Sequence, residues 1–286
     1  MPEQQNKVLL GWQASAKYWN KYRALITQMF SPLTDGLVDE ARIRTDQSVL
    51  DIGGGSGEPS LTLARVVGPS GSITFTDPAS GMVEAARNEA VRRGLTNIRF
   101  HQCSADDLPF AKATFDVVIS RLSAMFFSDP LKSLAEMLRV VVEGGRIALA
   151  VWAAKEANPF FCSVNNVVDR FADSVPEDQE APGTFRFAAP GKLAAMLRTA
   201  GAGNVTERNL KFRIGAAISL EEFWHLRTEM SETLREQLAK IDVAQLPIIK
   251  QAVAEAAQKY FVGKTMNFPA EAWIVAGQKI TPLMTR

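Results

Sequence analysis

Val49-Leu50-Asp51-Ile52-Gly53-Gly54-Gly55-Ser56-Gly57 decides the fold. A short apolar run meets glycines at 53, 55 and 57, and a helical pattern follows at Ser60, Leu61, Leu63, Ala64, Val66 and Val67. Strand, glycine loop and helix in that order let the backbone approach a ligand closely and aim helix N–H groups at it. The nicotinamide-type fingerprint wants glycine at the first, third and sixth positions. Counted from Gly53, the sixth is Glu58, an acid that would repel a diphosphate. Asp51, two residues before the first glycine, favours a cationic group near the strand end. Both points fit the zwitterionic methionine part of S-adenosylmethionine (SAM).

Reading outward, strands are expected at residues 48–52, 72–76, 97–101, 115–120 and 146–152, with helices at 60–67, 81–93 and 130–143. In the last of these, Asp129 is placed as N-cap, Pro130 as first residue and Gly144-Gly145 as stop. Strand and helix alternate across glycine-marked turns, which predicts a doubly wound, mainly parallel α/β sheet. The second strand ends in Asp77, where a carboxylate accepts ribose hydroxyls in nucleotide-binding βαβ units; the alternative is that Asp77 caps the next helix. Upstream, spaced apolar and aromatic positions over residues 8–30 predict an amphipathic helix with a break, then a helix from Pro32 to about Ala41. Downstream, residues 172–191 read as a long loop, a helix follows to about Ala200, and residues 204–214 read as a strand. Ser219-Leu220-Glu221-Glu222 is a capping box opening a helical stretch to about Tyr260. Ala272 to Ala276 reads as the last strand, so the helical stretch before it is an inserted cap.

Composition narrows the function. The chain has 286 residues, enough for about two domains. Lys and Arg number 32 against 31 Asp and Glu, a balance without a global pull toward nucleic acid or anionic membrane. Two cysteines, Cys103 and Cys162, and two histidines, His101 and His225, make no disulfide framework and no zinc spacing. The longest apolar run, residues 147–154, falls short of the ~18 residues of a membrane span, and the first residues lack a signal-peptide pattern. The expectation is a cytoplasmic protein without metal, nucleic-acid partner or integral membrane segment.

The chain resembles the class I SAM-dependent methyltransferases, specifically the ubiquinone/menaquinone C-methyltransferase-like (type 11/25-like) group. The matching text is VLDIGGGSGEPSLTLARVVGPSGSITFTDPASGMVEAAR, then ADDLPFAKATFDVVISRLSAMFFSDP, then RVVVEGGRIALAVW. The likeness continues weakly through FRFAAPGKLAAMLRTAGAG and AWIVAGQK. It implies a Rossmann-like seven-stranded sheet whose last strand is antiparallel. The implied division is an N-terminal helical lid (1–46), a SAM-binding core (47–215), a helical cap on the substrate side (216–264) and the last strand (265–286). It also implies that Asp51, Gly53 and Gly55 hold the methionine end of SAM, that Asp77 holds the ribose and that Met82 packs near the adenine, with Gly54 and Pro78 among the cofactor-binding residues. The family has an Asp-Ala pair before "LPF"; here Ser104-Ala105 stands there with Asp106 following, which leaves open whether Ser104 or Asp106 meets the adenine amino group. Ser120 would meet the methionine amine, and Trp19 lies on the helix that closes over SAM in the family.

The remaining candidates are side chains around the acceptor. Arg121 pairs with an acidic substrate, with the SAM carboxylate or with a neighbouring acid. Phe126-Phe127 and Phe160-Phe161 wall an apolar pocket or pack under the cap. Trp224 is a substrate-side candidate in the cap, and His225 beside it a candidate proton acceptor; no catalytic residue is otherwise assigned. The expected activity is methyl transfer to a small, largely apolar acceptor such as a quinone, a phenol or another natural-product-like molecule, with S-adenosylhomocysteine as product. The alternatives are a non-catalytic SAM-binding regulator or partner subunit and a nicotinamide-dependent oxidoreductase. The cap and the N-terminal helix are the candidate oligomer surfaces.

Overall fold

A computed structural model describes residues 2–172 and 178–280. Three helices open the chain: α1 (Pro2–Lys21), α2 (Arg23–Met29) and α3 (Ser31–Ala41). The core then alternates β1 (Ser48–Ile52), α4 (Ser60–Val67), β2 (Ser72–Asp77), α5 (Ser80–Arg92), β3 (Ile98–Gln102), β4 (Phe115–Arg121), α6 (Pro130–Val140) and β5 (Val141–Trp152). Beyond it come α7 (Pro159–Val168), α8 (Lys192–Thr199), β6 (Ala202–Ala216), α9 (Leu220–Met230), α10 (Glu232–Lys240), α11 (Leu246–Ala257), β7 (Phe261–Val262) and β8 (Thr265–Lys279).

The sheet order is β3-β2-β1-β4-β5-β8-β6, with the two-residue β7 on β8. Strands β1 to β5 pair in parallel; β8 runs antiparallel to both β5 and β6. The expected doubly wound sheet with an antiparallel last strand is present. Because helices cover both faces, the parallel strands are buried nearly throughout, as Val49, Leu50, Ile73, Phe75, Val118 and Ile119 are. The chain leaves β1 in one direction toward β2 and β3 and in the other toward β4. That reversal opens a crevice at the carboxyl ends of β1 and β4, where open α/β sheets take their ligands.

Several boundaries differ from the sequence reading. Helix α6 has the expected Asp129 cap, whose carboxylate accepts the Lys132 N–H at 2.9 Å. It ends at Val140, and Gly144-Gly145 lie inside β5 rather than stopping a helix. Pairing jumps from Phe115–Val141 to Val117–Arg146, so the glycines form a bulge. A Cβ on Gly145 would lie 2.8 Å from the Asp116 carbonyl. Helix α7 was not expected, and β8 is far longer than its apolar centre at 272–276. No helix or strand is described between residues 169 and 191.

The capping box forms: Ser219 accepts the Glu222 N–H, and the Glu222 carboxylate accepts the Ser219 N–H. Helices α9 to α11 enter after β6 and return before β8, packing on α7 and α1. Helix α1 rests on α5 through a small cluster of its own, Ala16, Ala79 and Met82, flanked by Leu9, Trp12 and Trp19. It is tied to α9 by Lys21 and Tyr22, whose Nζ and hydroxyl reach Glu229 at 2.6 and 2.9 Å. It is tied to α10 by Arg235, which donates to the Ser15 hydroxyl at 2.8 Å. No described helix is long and apolar enough to cross a membrane.

Candidate active site

The glycine loop is built by three different demands. The Gly53 and Gly54 amides both donate to the Thr76 carbonyl, at 2.8 and 3.0 Å, and stitch the loop to β2. A Cβ on Gly53 would lie 1.8 Å from Ser123 Oγ, so the first glycine admits the turn after β4. On Gly54 it would lie 2.4 Å from the Phe75 ring and 2.8 Å from the Asp51 carboxylate. Only Gly55, at φ +57°, would point a Cβ into open space, with nothing within 4 Å. The expected free amides are spent: Gly55 N–H on Asp77 at 3.0 Å, Leu61 N–H on Gly57, and Thr62 and Leu63 N–H on Pro59.

The two acids part ways. Asp77 lines the cavity; its two oxygens accept the Gly55 and Ala79 N–H groups at 3.0 and 2.9 Å. Since Ala79 is the N-cap of α5, Asp77 braces that helix while facing the crevice. Burial pushes its carboxyl up to about 6, and the two amides oppose the rise. Asp51, by contrast, is fully buried behind the loop and does not border the cavity. One oxygen accepts the Ser60 hydroxyl at 2.7 Å, the other has no hydrogen-bond partner among the described residues, and burial pushes the acid up to about 7. The methionine-holding role expected of the Asp51 side chain is therefore not supported by its placement: Phe75 and the loop screen it.

Ser120 is likewise at zero exposure, its hydroxyl has no partner among the described residues, and it does not line the cavity. Arg121 does line it, yet its guanidinium is used internally. It donates to the Thr34 hydroxyl at 2.9 Å and to the Glu58 and Phe30 carbonyls at 3.1 and 3.4 Å, pinning α2 and α3 to the glycine loop. Glu58 is not the free repelling acid that its position suggested. Its carboxylate accepts the Thr62 hydroxyl at 2.7 Å and pairs with Arg93 at 3.1 Å.

The cavity encloses about 200 Å³ above the carboxyl ends of β1 and β4. It brings together Gly53, Gly54, Gly55, Asp77, Pro78, Met82, Ser104, Ala105, Trp19, Arg121, Phe126 and Phe127. Ser104 donates its hydroxyl to Asp106, which itself stays outside the cavity wall. Trp12, on α1, stands edge-on to Phe126 and Trp19, with centroids 5.0 and 5.7 Å away, so the lid and the turn after β4 share an aromatic wall.

Trp224 and His225 are corrections, since neither borders the cavity. His225 is half-exposed and pairs with Glu221 at 3.0 Å, one helical turn away. The Phe160 and Phe161 rings pack about the buried Arg227 guanidinium at 4.9 and 4.7 Å, under the cap. Sequence reasoning missed Arg23, which lines the cavity and donates to the Ser56 and Ala85 carbonyls at 3.0 and 2.8 Å. It also missed Leu122, a left-handed residue at φ +59°, and Ser123 beside it; their only signal was position after β4. Among the described residues no His, Cys, Asp and Glu group suits a metal.

The cavity fits an adenosyl-amino-acid cofactor. Gly55 leaves an open cradle, and the Asp77 carboxylate keeps acceptor capacity for hydroxyls after its two amide bonds. Comparison with known proteins agrees. Residues 50–149 match the methyltransferase domain model. The chain is 30% identical over 192 residues to the ubiquinone/menaquinone biosynthesis C-methyltransferase UbiE of Haemophilus ducreyi, covering 63% of this chain and 73% of that one. It is 37% identical over 136 residues to the aklanonic acid methyltransferase DauC of a Streptomyces species, covering 48% and 62%. Among solved structures, YcgJ of Bacillus subtilis superposes with a TM-score of 0.55 at 21% identity over 86% of this chain and 97% of that one, a likeness of fold. The methyltransferase reading thus prevails over the nicotinamide-dependent and non-catalytic alternatives, with SAM as cofactor. The chain belongs to the class I SAM-dependent methyltransferases, in the group of the ubiquinone/menaquinone C-methyltransferases.

Proposed function

We propose that this enzyme methylates a small, largely apolar and uncharged acceptor, such as a quinone, a phenol or a comparable natural product, by in-line displacement. The observation that carries the proposal is the state of the cavity's cations. Arg23 and Arg121 both border it; Arg23 pairs with Glu89 at 2.9 Å and donates to the Ser56 and Ala85 carbonyls, and Arg121 donates to the Thr34 hydroxyl and two carbonyls with Glu58 and Asp51 close by, so among the described residues both cations of the wall are matched within the protein. Trp12, Phe126 and Phe127 supply apolar surface beside them. The names of the UbiE and DauC relatives support the same acceptor class.

SAM supplies a methyl group already activated on a sulfonium, so the protein's share is alignment and exclusion of water. In this reading Asp77 receives the ribose hydroxyls, Met82 and Ala105 flank the adenine, Ser104 meets its edge while Asp106 fixes the serine hydroxyl, and Gly55 makes room for the chain between. Trp12 and Trp19 close the cavity from α1, and the aromatic wall orients the acceptor. The cap segment, residues 216–264, acts through the lid rather than by touching the acceptor. The test is S-adenosylhomocysteine release with a hydroxynaphthoquinone, a simple phenol and a charged amine. Turnover of the first or second supports the proposal; turnover of the amine alone overturns it.

A further inference from the structure

We propose that the groove between α7 and the end of α11 is a second binding site, for a small carboxylate with an apolar body. The proposal does not rest on the methyl-transfer reading, and no described residue lines both this groove and the cavity at the glycine loop. The groove encloses about 410 Å³. One stripe of α7, with Arg170 just past its end, forms one side, and the turn after α11, with Lys259 and Tyr260, forms the other. Its charges are of one sign. Arg170 and Lys259 line it, no acid does, and neither cation has an ion pair among the described residues. Two acids near them in the chain are engaged elsewhere: Asp169 accepts the Gln237 amide and Glu255 the Gln251 amide, both at 2.9 Å.

A third cation lies behind the α7 side. Arg227 is 6% exposed, donates to Asn165 Oδ1 at 3.2 Å and leaves its Nε without a partner among the described residues. Burial pulls it down to about 10, and the group that opposes this is the Cys162 thiol of the groove wall, not an acid. Ser163, 7% exposed and also in the wall, keeps a hydroxyl with no partner among the described residues. A guanidinium buried without a counter-charge is costly, and an anion in the groove lessens that cost from across Cys162. The remaining wall offers apolar surface at Pro159, Val167 and the Tyr260 ring. The ligand that suits both parts carries its acid between Arg170 and Lys259, where a guanidinium fork matches a carboxylate, and lays its hydrophobic body on the Tyr260 side.

The experiment is a titration of the isotope-labelled enzyme with benzoate, benzamide and inorganic phosphate, followed by backbone amide shifts. Benzoate at millimolar concentration is expected to move the amides of residues 159–170 and 256–260 saturably. The double variant Arg170→Met, Lys259→Met is expected to bind it about tenfold more weakly. Both side chains are exposed, so the variant keeps the wild-type fold, which its other amides report. Benzamide that binds as well as benzoate overturns the proposal, because charge then plays no part. Phosphate that binds as well overturns it, because the apolar body then plays none. Benzoate that moves no amide of the groove, or that binds the variant as tightly as wild type, overturns it too.

Discussion

The Ser60 hydroxyl donates to the Asp51 carboxylate at 2.7 Å on the far side of the glycine loop from the cavity. An acid in that position is a burden on the fold at neutral pH. Burial raises Asp51 to about 7 and Asp77 to about 6, both from 3.8. Between those values the folded chain holds protons that the unfolded chain has released, so stability falls as pH rises from about 4 to 7 and levels off above. Asp51→Asn is expected to remove much of this slope and to gain on the order of 2 kcal/mol at pH 8 relative to pH 5.5. Urea unfolding at the two pH values checks it; an identical pH difference in wild type and variant refutes it.

For Asp77 the same shift acts on binding. In the ribose-binding role proposed for it, the carboxylate accepts hydroxyls best while charged, so S-adenosylhomocysteine affinity is expected to weaken as pH falls through about 6. Asp77→Asn should bind roughly 10–100-fold more weakly at pH 8 and show a flat profile from pH 5 to 8. A variant that keeps the wild-type slope assigns the titration to another group.

Two neighbouring glycines should fail in different ways. Gly54→Ala places a methyl 2.4 Å from the Phe75 ring, a core clash expected to cost about 1–3 kcal/mol of stability. Gly55→Ala meets no atom within 4 Å but strains a backbone at φ +57°, roughly 1–2 kcal/mol, and puts its methyl in the cavity. Thermal unfolding and ligand calorimetry should therefore rank the pair oppositely: Gly54→Ala the less stable, Gly55→Ala the weaker binder for its stability. The same ranking in both assays contradicts the division of roles.

Arg121 is a structural cation, and its removal should show as unfolding. Arg121→Met takes the guanidinium donor from the Thr34 hydroxyl and the Glu58 carbonyl, one of three donors from the Phe30 carbonyl, and the nearby positive charge from Asp51. A loss of about 3–5 kcal/mol is expected. Lys, a point donor without the guanidinium fork, should recover little of it. A stable Arg121→Met protein with reduced acceptor turnover would instead make Arg121 a substrate contact.

The sheet was readable because short stretches rich in β-branched and apolar residues, such as Val49, Leu50 and Ile52 in β1 and Ile73, Phe75 and their threonine neighbours in β2, stand between glycine turns. Asp77, Met82 and the loop glycines were readable because their spacing is tied to the strand ends. Gly144-Gly145 misled because a helix stop and a strand bulge ask for the same residue type, and only the pairing of Val117 with Arg146 separates them. The exposure of Asp51 was not readable either, since the Ser60 hydroxyl that draws it inward lies in the next helix. Trp224 and His225 misled because a capping box fixes where α9 begins and not which side of it meets the cavity.

The bonds from Lys21 and Tyr22 to Glu229, and from Arg235 to Ser15, give the cap a part in traffic. Helix α1 roofs the cavity with Val8, Leu9, Trp12 and Trp19, and it cannot lift without breaking those three contacts. The segment between β6 and β8 lines none of the described wall of the active-site cavity, yet its bonds hold the helix that roofs it. Glu229→Gln and Arg235→Met are expected to speed release of S-adenosylhomocysteine in a stopped-flow chase; unchanged rates would uncouple the cap from the roof.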